Sequence, residues 1–238
     1  MYSRAIVLRT LRYSDEALIA HLLTEERGCV PMIVRISRSR RAAVHHTLFR
    51  PLAVLGVEWN DRPKAALQRP KTVQTALVLR SLPYEAGKAA IALFIADFLE
   101  HAVRTEPDSR AVFEFIVRSV EWLDTCHSGY ANFHLVFLLR LTRFLGLLPD
   151  ARDFGPGKYF DLRNACFVDS RPLHPDYLAP AEAALLPDIL RMRYANMHLF
   201  RLSGAQRSQL LARLNDYYRL HLPSFPELKS LDVLRQTF

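Results

Sequence analysis

The chain has 238 residues, half of them hydrophobic, which is enough for one large or two small domains with a sizeable core and argues against wholesale disorder. Its net charge of +8 is confined: residues 1–80 hold 14 Lys/Arg and 6 Asp/Glu, whereas residues 81–238 hold 18 of each. Such a basic lobe favours a polyanionic partner, nucleic acid or an anionic membrane surface, although an ordinary basic exterior gives the same sum.

In chain order, the first 80 residues read as strands. Ala5 to Leu11 is aliphatic and β-branched, and Ala17 to Thr24 follows a turn at Ser14-Asp15. Glu25-Glu26-Arg27-Gly28 supplies a second turn, and Cys29 to Ile36 forms a third strand with Val30, Met32, Val34 and Ile36 on one side. Leu52 to Trp59 is a fourth strand, closed by Asn60-Asp61-Arg62-Pro63, and Ala66 to Thr75 a fifth. Three early strands, a longer connection and two more fit a five-stranded OB-type barrel.

From about residue 84 the apolar period changes from 2 to 3.6. Ile91, Phe94, Ile95, Phe98 and Leu99 mark one face of a helix, with Lys88, Asp97, Glu100, His101 and Arg104 on the other. Pro107-Asp108 separates it from a second helix striped by Val112, Phe113, Ile116, Val120 and Leu123. A third helix from about Ala131 is apolar nearly all round, as the centre of a bundle must be, and Gly146 and Pro149 end it. Residues 150–176 break the pattern, with two short strands turning at Asn164. A helix from about Pro180 to Met197 comes next, then one opening at Ser203 with Gln206 at capping-box spacing. The expected class is therefore α+β: an OB domain over 1–80 and a helical domain over 81–238, carrying a small β-hairpin insertion at 150–176, with the boundary near Ser81-Leu82-Pro83.

Motifs for chemistry are missing. The eight glycines build neither G-x-G-x-x-G nor G-x-x-x-x-G-K-[ST], and no H-E-x-x-H or G-x-S-x-G is present. The three cysteines, Cys29, Cys126 and Cys166, form no C-x-x-C pair, so no metal site or cofactor is expected and a reducing cytoplasm suits them. The apolar run at the start is too short for a signal peptide, and no stretch of 18 uncharged apolar residues could span a membrane. The expectation is a binding protein and not an enzyme.

What remains is cationic. Arg35, Arg38, Arg40 and Arg41 leave the third strand as a run, and Arg62, Lys64, Arg69 and Lys71 flank the turn between strands four and five. Guanidinium forks match phosphate oxygens and keep their charge at every accessible pH. Loops beside strands of an OB barrel line its ligand groove, so the two clusters could form one DNA-binding stripe; each could equally be a solvated loop. Phe49 and Trp59 sit in apolar contexts and read as core. Aromatics besides these are modest, Tyr13 among them, so binding is expected to rest mainly on phosphate contacts.

Taken in order, Tyr13-Ser14-Asp15, Phe49-Arg50-Pro51-Leu52, Leu145-Gly146-Leu147-Leu148-Pro149 and Leu228-Lys229-Ser230 resemble the motifs of the RecO family of bacterial recombination mediators. Tyr13-Ser14-Asp15 leading into a strand that ends Leu23-Thr24 before Gly28 is similar to the family's opening, and Val34-Arg35-Ile36-Ser37-Arg38 occupies the place of its basic stretch. Asn132-Phe133-His134-Leu135 is similar to the Bacteroidetes branch. Two departures stand out: only Cys166 lies where many relatives carry a four-cysteine zinc module, and Ile36 replaces a family glycine.

The resemblance implies an amino-terminal OB domain and a helical carboxy-terminal domain. It also implies a cytoplasmic, nucleoid-associated mediator that binds single- and double-stranded DNA, anneals strands and helps load RecA. The implied partners are RecR, the acidic tail of the single-stranded-DNA-binding protein and, indirectly, RecA, with no membrane. Arg140 and Arg143, at i and i+3 of the third helix, are candidates to hold that tail; pairing with Asp97 or Asp124 is the competing reading. An RNA-binding or translation-associated OB protein explains the charge equally well, but not the order of motifs.

Overall fold

The computed structural model describes residues 1–36, 46–103 and 110–237. Five strands, β1 (Tyr2–Ser14), β2 (Ala17–Thr24), β3 (Gly28–Arg35), β4 (Val54–Trp59) and β5 (Pro70–Thr75), form one sheet in the order β3-β2-β1-β4-β5. Every neighbouring pair is antiparallel, and a parallel bridge between Met32 and Gln68 brings the two edges together as a barrel requires. Alternation fills the inside: Ala5, Val7, Leu18, Ala20, Leu22, Met32, Val34, Leu55 and Val57 pack around Phe49 and Trp59. The expected strand set and OB architecture are therefore observed, with β1 longer at both ends than Ala5 to Leu11.

Two turns explain their sequences. Gly28 takes φ of 62° at the β2–β3 turn, which an L side chain would resist. In Arg50-Pro51-Leu52-Ala53 the Ala53 N–H donates to the Arg50 carbonyl at 3.0 Å with Leu52 at φ 61°. Proline second and a positive φ third is a type II turn, and Leu52 bears the strain because its side chain is buried.

The chain divides into two compact units, 1–126 with 227–237, and 127–226. The first holds the barrel with α1 (Ala86–Ala102), α2 (Arg110–Thr125) and a terminal helix, α7 (Ser230–Thr237). Strands give way to helices on either side of Ser81-Pro83, but compactness keeps α1 and α2 with the barrel. The segment 80–82 is pinned: the Asp124 carboxylate accepts the backbone N–H groups of Arg80, Ser81 and Leu82 at 2.9, 2.8 and 2.7 Å. Lys88, expected on the polar face of α1, is instead fully buried, its Nζ donating to Ser81 Oγ at 2.6 Å and lying 3.2 Å from Glu85. The Arg4 guanidinium joins Glu25 at 2.9 Å and Glu114, tying barrel to α2, and rests over the Phe113 ring. The turn expected at Pro107-Asp108 lies outside the described residues.

The second unit centres on α3 (Phe133–Phe144), buried nearly all round as its sequence implies. It ends where Gly146 takes φ of 70° and the Leu147 N–H returns to the Thr142 carbonyl at 2.7 Å, a Schellman closure. A three-stranded sheet follows, β6 (Tyr159–Asp161), β7 (Cys166–Val168) and β8 (Tyr177–Leu178), in the order β7-β6-β8, one strand more than the expected hairpin. The single helix expected from Pro180 to Met197 is broken into α4 (Pro180–Ala183) and α5 (Leu186–Leu190). Pro187 cannot donate to a preceding turn and fits only at the start of a new helix, so the backbone restarts there. In α6 (Gly204–His221) the capping box is complete, Ser203 Oγ accepting from Gln206 N–H and Gln206 Oε1 from Ser203 N–H.

Candidate nucleic-acid interface

Arg35 is exposed at the exit of β3; Arg38, Arg40 and Arg41 lie outside the described residues. In the second cluster Arg62, Lys64, Arg69 and Lys71 are all exposed on and beside the β4–β5 connection. Lys71 sits 3.8 Å from Glu58, and neighbouring Asp61 is engaged by Arg27 at 3.1 Å. Arg35, Arg62, Lys64 and Arg69 have no carboxylate in salt-bridge reach among the described residues. Several other cations of this unit are paired: Arg4 with Glu25 and Glu114, Arg9 with Glu100, Arg12 with Asp15, and Arg110 with Glu25 and Glu26.

The barrel's closure relates the two clusters. The Ile33 N–H donates to the Gln68 carbonyl, and the Gln68 N–H to the Pro31 carbonyl, each at 2.9 Å. Because β3 and β5 run in parallel at the Met32–Gln68 bridge, Arg35 and Lys71 each stand three residues beyond it in the same direction. The β1–β2 turn, by contrast, is far from the β4–β5 connection along β1: Tyr2 pairs with Glu58 and Ser14 with Ala17, separated by about 40 Å of curved strand.

The buried side chain of Gln68 organises the connection. Its Oε1 accepts the Arg62 N–H at 3.1 Å, and its Nε2 donates to the carbonyls of Arg62 and Ala65 at 2.8 and 3.4 Å. Sequence reading misses this residue, since a glutamine between Leu67 and Arg69 carries no local signal of burial. It also misses the outer half of β1, where residues 9–14 are exposed and Tyr13 is 65% accessible. Phe49 and Trp59 are core, at 4% and 0%.

Elsewhere in the first unit, the Asp97, Glu100 and His101 ligand atoms of α1 lie within 4.8 Å of one another. Glu100 Oε1 is 2.8 Å from His21 Nδ1 and its Oε2 is 3.6 Å from Arg9, while Asp97 accepts from Ser230 Oγ at 2.6 Å. These contacts make the group a polar seam among α1, the barrel and α7. Asp124 serves the 80–82 backbone. In the second unit Arg140 and Arg143 are exposed on α3, Arg140 lying 5.8 Å over the Tyr194 ring. Neither lines the apolar cleft of about 270 Å³ whose walls include Leu135, Leu139, Leu186, Ile189, Leu210 and Leu214. At that cleft's rim Arg213 meets Glu182 at 3.1 Å. No described helix is long and apolar enough to cross a membrane.

Comparison with known proteins agrees with this architecture. Residues 1–76 match the family model described as Recombination protein O N terminal, and residues 84–232 match Recombination protein O C terminal. The chain is 46% identical over 233 residues to the DNA repair protein RecO of Phocaeicola vulgatus, covering 98% of this chain and 97% of that protein. It is 47% identical over 234 residues to that of Bacteroides fragilis, with the same coverage, and 35% identical over 241 residues to that of Porphyromonas gingivalis, covering 99% and 98%. A barrel, a helical body and full-length similarity of this degree have one reading: the chain belongs to the RecO family of bacterial DNA repair and recombination proteins.

Proposed function

We propose that this protein acts by binding and not by catalysis, holding single- and double-stranded DNA on the cationic face of its barrel. It anneals complementary strands there and, with RecR, helps RecA replace the single-stranded-DNA-binding protein on coated strands, in the cytoplasm at the nucleoid. The observation that carries this reading is the set of exposed cations, Arg35, Arg62, Lys64 and Arg69, left without carboxylate partners among the described residues and brought to neighbouring edges of the barrel by the Met32–Gln68 bridge. Unpaired guanidinium groups need no existing bond broken before they meet phosphate, so they give binding with little sequence preference. Arg38, Arg40 and Arg41 follow Arg35 in sequence and add to its charge.

The acidic tail of the coating protein needs a hydrophobic floor beside a cation. Two seats are separable by mutation: Arg140 and Arg143 on α3, and Arg213 at the rim of the apolar cleft. The decisive experiment on the main reading is fluorescence anisotropy with matched DNA and RNA oligonucleotides, using the parent and a variant with Arg35, Arg38, Arg40 and Arg41 changed to alanine. The parent is expected to capture DNA and to anneal complementary strands without a nucleotide cofactor, and the variant to bind at least tenfold more weakly, a loss of about 1.4 kcal/mol or more. A folded variant that holds DNA as tightly as the parent overturns the proposal. Clear preference for RNA transfers the barrel to RNA binding.

A further inference from the structure

We propose that the concave pocket between the end of β4 and the start of β5 receives the terminal phosphate monoester of a nucleic-acid strand. This inference rests on the nucleic-acid reading and adds a site for the strand's end. The cavity, about 240 Å³, is walled by Asn60, Arg62, Arg69 and Lys71 together with the apolar Ala65 and Leu67. Its lining contains no carboxylate. Of the nearest acids in sequence, Asp61 is drawn off to Arg27 at 3.1 Å, while Glu58 lies 3.8 Å from the pocket's own Lys71 and offsets part of its charge. Two arginines, a lysine and an asparagine thus line one small volume.

Like charges converge only where the backbone holds them, and here the frame is main chain. Gln68 is 7% exposed and bonds both the N–H and the carbonyl of Arg62, while its own backbone is fastened to β3 through Pro31 and Ile33. A turn within the connection, Ala65 N–H to the Arg62 carbonyl at 2.9 Å, fixes the remainder. The backbone that carries the donors is therefore fixed before any ligand arrives, which lowers part of the ordering cost of binding.

The geometry favours a chain end over an internal linkage. An internal phosphodiester carries one charge and two free oxygens, and its strand must leave a pocket in two directions. A terminal monoester carries close to two charges near neutral pH, offers three acceptor oxygens and leaves in one direction. Arg62 and Arg69 would fork onto those oxygens with Lys71 as a point charge, while Ala65 and Leu67 cover the adjoining sugar.

The test uses the full chain and one oligonucleotide in three forms: a 5′-phosphate, a 3′-phosphate, or hydroxyls at both ends. A phosphate at one end is expected to tighten binding about tenfold, and the double change Arg62→Ala with Arg69→Ala to abolish that advantage while hydroxyl-ended strands lose less. Both side chains are exposed, so an unchanged melting temperature is expected to accompany the loss. Equal binding of the three strands by the parent, or an end preference that survives in the double variant, overturns the pocket while leaving the general DNA reading intact. Absence of binding to every strand sinks both. A nucleoside monophosphate that binds as tightly as the phosphorylated strand makes this a free-nucleotide site and also overturns the proposal.

Discussion

At Asp124 one side chain settles how strands hand over to helices. Burial opposes its charge, but three backbone N–H groups, from Arg80, Leu82 and Ser81, outweigh that and hold its carboxyl below the usual carboxylate range. A folded-state value lower than the unfolded one stabilises the protein above the unfolded value near 3.8, and this contribution disappears as pH falls through the folded value. Asp124→Ala leaves three donors without their acceptor and is expected to cost about 3 kcal/mol, read as a lower denaturation midpoint in urea at pH 7. A loss below about 1 kcal/mol would mean that water replaces the carboxylate. Lys88 illustrates the limit of periodicity at this scale. Its position on the helical wheel is polar, yet the ammonium is buried because Ser81 and Glu85 accept it locally.

Among the elements, the start of α6 is fully legible. Ser203 and Gln206 satisfy each other's backbone through contacts three residues apart, so sequence alone specifies the cap. Ser203→Ala is expected to destabilise the protein by about 1 kcal/mol, and Ser203→Gly by only a few tenths, measured as shifts in thermal midpoint. Equal losses would show that the hydroxyl is not the source of the stabilisation. The stretch from Pro180 to Met197 misleads because apolar spacing continues past Pro187, where backbone chemistry forces a restart. The terminal helix α7 escapes sequence reading for a different reason. It is eight residues long, too short to stand by its periodicity, and it forms against α1, where Asp97 accepts from Ser230.

For the whole molecule, the +8 excess of the first 80 residues becomes a measurable salt response. If Arg35, Arg62, Lys64, Arg69 and Lys71 neutralise about five phosphates, the affinity for single strands falls with a log–log slope near −3.5 against salt, and for duplex near −4.5. A titration from low to physiological ionic strength checks this. A slope near zero would mean that phosphate contact does not drive binding. Removing Lys71, already near Glu58, is expected to flatten the slope less than removing Arg69.

Local patterns in the chain determined the barrel's five strands, the helical remainder, the core roles of Phe49 and Trp59 and the family, since alternation, turn residues and caps act over a few positions. Folding decided what depends on distant partners. It took up Asp61 with Arg27 and Glu58 with Lys71 but left Arg62 and Arg69 open, and it buried Gln68 as the brace of their loop. It also aligned the exit of β3 with β5. Charge is written in composition, but whether a cation is free to meet a phosphate depends on which carboxylate the tertiary fold sets beside it.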